Sequence, residues 1–479
     1  MQSRRDQVQA HAFVTGRLVS AMVRADPDAP ETPTRRAVTG AFAGAMVAVI
    51  ALAVFGMLGV LRPGGSTAWR EAGAIIVEKE TGSRFLLVDG VLRPVMNLAS
   101  ARLLAGAEAP VRSVSGKSLV GVPHGAAVGI PGAPDALPDP ARLSYGPWLI
   151  CSPADPDPAG AGPGRQVVTV AVGAPAGTAP LPADRALLVS TPGGSTYLAW
   201  GSRRLRIADR AALLALGYGT AQPTLVAEAW VNALPAGPDL RSQAVPGRGG
   251  RGPDVDGGPS VVGQVLLVPG TGSDAGDYYL VRQDGLAALT ATDALLLLGD
   301  PANAAAYPGG RVRAIPVGAA AVAAAPQSPA DSVTAGYPPE PPRLADGQGG
   351  QRVPCVRAVF RSVTAVDLQV ALADPAAVPA PAGGAAPAPG ADSRAADVVR
   401  VPPGGGLLVQ DVPAPGITGG AVYLVTDLGL KYPLPTADAA DALGYSSVPA
   451  VPAPSAILAF LPTGPALDQQ AAKISQQTA

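Results

Sequence analysis

The chain has 479 residues, enough for several compact units, and is 48% hydrophobic but only 4% aromatic, with 59 Gly and 53 Pro. Its 35 Lys and Arg balance 36 Asp and Glu, and a formal net charge of −1 supplies no field that would draw in nucleic acid. Two Cys and two His leave almost no raw material for a zinc cluster or a histidine-based triad, so no cofactor, metal or catalytic residue is expected.

The first predicted element is a helix over Asp6–Arg24, with Val14, Leu18 and Met22 on one face. Arg4, Arg5, Arg17 and Arg24 suit either lipid head groups or a protein partner. So short a segment gives the apolar face nothing of its own to pack on, which favours a cytoplasmic docking partner. After the proline-rich run Asp26–Pro33, Ala37–Leu61 carries no charge. About 20 apolar residues cross the hydrocarbon layer, and Val47, Ile50, Leu52, Val54, Phe55, Leu58 and Leu61 make this stretch apolar all round. It reads as a single membrane span in contact with lipid, the alternative being a buried core helix. Six arginines precede it (Arg4, Arg5, Arg17, Arg24, Arg35, Arg36) and only Arg62 and Arg70 follow closely, which places the N-terminus in the cytoplasm and the bulk of the chain outside. The long polar lead and the Arg-Pro-Gly-Gly that follows argue for a retained anchor instead of a cleaved signal.

Beyond the span one pattern recurs. Phe85-Leu-Leu-Val-Asp-Gly90, Tyr197-Leu-Ala-Trp-Gly201, Tyr279-Leu-Val-Arg-Gln-Asp-Gly285 and Tyr423-Leu-Val-Thr-Asp-Leu-Gly429 each lead through a second apolar run into an alanine-leucine helix. Each reads as strand, glycine turn, strand and short helix, with Asn97, Asp209, Asp293 or Asp438 near the helix start. The second and fourth copies share tails, Leu234-Pro-Ala-Gly-Pro238 and Leu461-Pro-Thr-Gly-Pro465, and the first has a looser one at Val122-Pro123-His-Gly125. The two larger gaps hold strand-like runs at Trp148–Cys151, Gln166–Val172 and Cys355–Leu372, with one cysteine in each gap. An exported location permits Cys151 and Cys355 to pair, stapling both gaps into a central β unit; two separate buried thiols are the alternative. Gly247–Pro259 and Pro375–Asp392 lack apolar groups and read as mobile surface loops.

The expected class is α+β: a single N-terminal transmembrane helix, then an elongated extracytoplasmic region of four hairpin-helix repeats around a central β domain. The boundaries are 1–36 (helix and tether), 37–61 (span), 75–135, 191–245, 260–325 and 416–470 (repeats), and 140–190 with 350–415 (central domain).

Arg4-Arg-Asp-Gln-Val-Gln-Ala-His-Ala-Phe13, the early span, Leu86-Leu-Val-Asp-Gly-Val-Leu-Arg-Pro-Val95-Met-Asn-Leu-Ala-Ser-Ala101, the two cysteines and Leu461-Pro-Thr-Gly-Pro465 together resemble the EccB family, a membrane component of the actinobacterial type VII (ESX) secretion system. The resemblance covers nearly the whole chain. It implies an inner-membrane core complex with the EccC ATPase, EccD and EccE, an associated mycosin protease, a disulfide-held repeat region, and a homodimer within a larger ring. Function on that basis is mechanical, linking the cytoplasmic and outer parts of an export machine.

Two rivals remain. Some EccB proteins carry an ATPase label, and Gly116-Lys117-Ser118 is the nearest phosphate-binding string. A P-loop needs a glycine five positions before the Gly-Lys pair, and Val111 stands there. A cell-wall-binding module would show exposed aromatic or acidic clusters, whereas Phe85, Tyr197, Tyr279 and Tyr423 share one strand position, as core residues do.

Overall fold

The structure is a computed structural model of the chain. It describes residues 4–25, 33–61, 68–143, 146–155, 165–173, 178–270, 276–329, 332–345, 352–362, 365–378, 395–413 and 419–476. Most of the Asp26–Pro33 run, Arg62 and residues 379–392 of the second low-complexity stretch lie outside them. Two compact units divide the chain, one made of residues 1–93 and 110–125, the other of 94–109 and 126–479.

The first unit opens with helix α1 (Arg4–Arg24) and helix α2 (Pro33–Leu61). Proline at the first position of α2 costs no hydrogen bond, because that N–H has no helical acceptor. Within α2, Ala37–Met57 has a mean hydropathy of 2.3 and none of it is buried, so its apolar surface has no protein to cover it. Among the described residues it is the one helix long and apolar enough to cross a membrane. Strands β1 (Ile75–Glu78), β2 (Arg84–Val88), β3 (Val91–Val95) and β4 (Val111–Val114) form a sheet in the order β3-β2-β1-β4. Asp89 and Gly90 both take positive φ, 52° and 77°, which is the backbone a two-residue hairpin requires. β4 lies parallel to β1, and Trp69, Ile76, Phe85, Leu92, Val114 and Leu119 form the core.

The second unit contains three sheets built on that same order. In each, an antiparallel hairpin is flanked by a first strand, and a very short strand runs parallel to that first strand. The hairpins are Thr196–Trp200 with Arg203–Arg206, Asp277–Val281 with Leu286–Leu289, and Val422–Thr426 with Lys431–Leu434. The first strands are Arg185–Ser190, Val265–Val268 and Gly406–Val412, and the parallel ones Thr224–Leu225, Ile315–Pro316 and Val451–Pro454. Two sequence boundaries therefore move: Arg185–Ser190 and Gly406–Val412, expected in the central domain, pair with the second and fourth hairpins.

A six-stranded sheet takes Ala179–Pro180, Ala365–Ala373, Val353–Ser362, Trp148–Cys151, Thr169–Val172 and Val398–Arg400 in that order. Trp148, Ile150, Val170 and Val356 from this sheet share one core with Trp230 and Val231 on the helix Glu228–Asn232 and with Ile457 and Leu458 on Ser455–Leu458. Trp230 is fully buried, and its Nε1 donates to Ile150 O at 3.1 Å. Burying that ring contributes about 2–3 kcal/mol and ties hairpin sheet to central sheet.

The longer helices pack in pairs. Leu98–Ala105 packs on Ala437–Ala442, and Arg210–Ala215 packs on Ala291–Gly299, where Gly299 leaves room for the Ala215 methyl. Asn97 and Asp209 cap their helices through Ser100 N–H and Ala212 N–H. Asp293 and Asp438 stand in the first turns of their helices, as expected, and Thr290 and Thr436 hold the N-caps. A threonine hydroxyl reaches the same N–H, and the acid then favours the helix N-terminus by charge.

Gly247–Pro259 is not a loop throughout. Arg251–Val255 pairs with Gly258–Val261 across Asp256-Gly257, both at positive φ. Asp-Gly is the strongest short hairpin signal, and composition masks it.

Candidate functional site

Four features carry the functional question: the Gly116-Lys117-Ser118 turn, the two cysteines, the tails, and the exposed face of α1.

Gly116–Ser118 forms one short 3-10 turn directly after β4. The Glu80 carboxylate fills its mouth, accepting Ser115 Oγ at 2.7 Å and Gly116 N–H at 2.9 Å. Those two hydrogen bonds, Ser115 first, hold the Glu80 carboxyl below its ordinary value, and the hydroxyl and N–H that a phosphate would need are already spent on this carboxylate. A side chain at Gly116 would run into Glu78, a second carboxylate. Lys117 is exposed. The same place in the other three sheets is taken by Glu228–Asn232, Ala319–Ala324 and Ser455–Leu458, each following the parallel strand. The string that looks like a phosphate loop is thus the shortened second helix of the first hairpin sheet, arranged against polyanions.

Cys151 and Cys355 lie directly opposite each other on neighbouring antiparallel strands and are disulfide-bonded, both fully buried. The bond is flanked by Leu149, Ala171, Val353 and Ala371 and offers no thiol for chemistry.

The tails each cover the open edge of a hairpin. Leu92 N–H donates to Pro123 O and Gly125 N–H returns to Leu92 O; Arg204 does the same with Pro235 and Gly237, and Lys431 with Pro462 and Gly464. Leu286 makes the same exchange with Pro326 and Ser328, a fourth tail that sequence reading missed because it ends in serine. Where the glycine stands it is required by space: a side chain at Gly237 would run into Leu205, and one at Gly464 into the buried Tyr432 ring. The cation of each matching tail strand closes a helix end, with Arg204 donating to Val231 O and Lys431 to Leu458 O.

The turn glycines divide. Gly90, Gly201 and Gly429 take φ of 77°, 58° and 76° as turns require, whereas Gly285 is needed because the fourth tail's Pro326 and Gln327 pass against it. On α1, Val14, Leu18 and Met22 are exposed together with Phe13, Met22 by 83%. An apolar groove of 840 Å³ between the last hairpin sheet and Ala437–Ala442 has Asp438, Asp441 and Tyr445 as its titratable lining, and Tyr445 spends its hydroxyl on Pro138 O.

The family model described as "Type VII secretion system ESX-1, transport TM domain B" matches residues 1–479. The chain is 31% identical over 484 residues to the ESX-3 secretion system ATPase EccB3 of Mycolicibacterium smegmatis, covering 97% of this chain and 89% of that protein. It is 28% identical over 481 residues to the ESX-1 secretion system ATPase EccB1 of Mycobacterium tuberculosis H37Rv, covering 98% and 94%. Among solved structures, a chain of an intact ESX-5 inner membrane complex superposes with a TM-score of 0.68 at 25% identity, covering 100% of this chain and 96% of that one. A chain of an EccB3 dimer from the ESX-3 core complex gives 0.65 at 28% identity, covering 84% and 100%. The match runs from the apolar helix through the cysteine-paired sheet to the last tail, and the chain belongs to the EccB family of type VII secretion-system membrane components.

Proposed function

We propose that this chain is the structural subunit that ties the cytoplasmic and outer parts of an ESX inner-membrane complex together, as a dimer. The observation that carries this is the combination of one uncovered apolar helix with a large disulfide-bonded β region and full-length similarity to a chain of an intact ESX-5 inner membrane complex. In this reading the N-terminus is cytoplasmic, as the arginine distribution favours, and α1 docks on a cytoplasmic partner through Val14, Leu18 and Met22. The four sheets of shared order are four repeats, supplying broad rigid contact surfaces outside the membrane. EccC, EccD, EccE and a mycosin are the companions this role calls for. Removing residues 1–24 should leave the outer region folded, reduce the native-gel size of the complex and stop export of an ESX substrate; normal size and export would contradict the docking role.

The relatives' name favours a second reading, nucleotide binding. Glu80 in the turn opposes it. Pure full-length protein should retain no more labelled ATP than its Lys117→Ala variant; retention lost on that substitution would establish the second reading.

A further inference from the structure

Each of the four hairpin sheets ends on the short strand that runs parallel to its first strand, and such an end strand turns one row of backbone groups away from the sheet. In β4 the inward row is fixed by Ile75 N–H donating to Pro110 O and Lys79 N–H to Val114 O, which sets Arg112 and Val114 inward and Val111 and Ser113 outward. The same register in the other sheets follows from Val226 N–H on Ser190 O, from Val317 N–H on Leu267 O, and from the pairing of Gln410 with Pro452, since the neighbouring Asp411 N–H turns the other way to Ala421 O. Their outward positions hold Pro223, Pro316 and Pro452. Proline has no N–H, and placing it on an outward position is how natural sheets stop a further strand from adding. β4 has no such block. Among the described residues, nothing pairs with the outward N–H and C=O of Val111 and Ser113, and the apolar side chain of Val111 stands open at 52% exposed.

We propose that β4 is the edge to which β4 of a second copy of this chain adds, antiparallel, making one continuous sheet across the dimer. This rests on the dimer reading and names the surface. The edge is self-complementary: with Arg112 opposite Arg112 of the partner subunit, Val111 faces Ser113 in both directions and all outward groups on both strands are satisfied. The two arginines at the centre are not a bare like-charge pair, because Arg112 Nη2 lies 2.9 Å from Glu71 Oε2 and each copy brings that carboxylate with it. A shared membrane anchor also gives both copies one orientation, and a two-fold axis between them sets identical edges face to face.

The test uses the full chain in native membranes and in detergent. Arg112→Cys sits at the central, non-hydrogen-bonded position, where facing Cα atoms approach to about 4.5 Å, and the native cysteines are already paired. Mild oxidation should give a reducible dimer band at least tenfold stronger than an exposed control, Arg251→Cys. Ser113→Pro, which removes one outward donor and none of the inward ones, should raise the dissociation constant of the detergent-solubilised dimer at least tenfold with its circular dichroism unchanged. A dimer that persists in Ser113→Pro, with Arg112→Cys no better than the control, overturns the surface and leaves the dimer reading standing. A wild-type chain that is monomeric in its membranes overturns both.

Discussion

Gly464 shows how one residue fixes an element. Its N–H returns to Lys431 O while the Tyr432 ring occupies the space a side chain would need, so the tail can lie on the hairpin edge only with glycine there. Gly464→Ala should destabilise the β region by about 1–3 kcal/mol, because a buried ring has no room to move, and chemical denaturation of the purified protein measures it. The result expected at Gly90, whose added side chain would meet open space, is smaller and comes from its positive φ alone. At this scale the sequence was read well where geometry demands a particular residue. The Leu-Pro-x-Gly strings at 234–237 and 461–464 match because both bond the same two backbone groups. It was read poorly where another residue does the same job: serine ends the tail of the third hairpin sheet, where glycine ends the other three.

At the scale of elements, the cysteines sit on strands that are about 200 residues apart in sequence and adjacent in the sheet. Replacing both by serine removes the constraint on the unfolded chain and leaves two hydroxyls in an apolar cluster, so stability should fall by about 2–5 kcal/mol. Thermal unfolding of the double variant checks this, and an unchanged midpoint would show that the sheet holds its register without the bond. The hairpins and longer helices were legible because each carries a period or a turn signal of its own. Thr224–Leu225 and Ile315–Pro316 were not, since two residues hold no period, and their pairing with a first strand far upstream exists only in the folded chain. For the same reason Arg185–Ser190 and Gly406–Val412 look like central strands in sequence: their apolar runs are buried on the central sheet and on their own helices alike.

At the scale of the molecule, the parts proposed to bear on assembly leave apolar or unpaired groups uncovered by the chain itself: α1, the apolar Ala37–Met57 stretch and the open edge of β4. The catalytic reading meets the opposite situation, a phosphate-like string whose anion position is already filled from within by Glu80. Membership in the family follows from the full-length match, and the structural role proposed here concerns what the chain holds together. The most direct measurement is to tag the full-length chain, purify it from its native membranes under mild detergent, and identify by mass spectrometry what comes with it. Recovery of the other ESX membrane components in one large particle is the predicted result; recovery of this chain alone, from cells in which those components are present, would contradict the structural role.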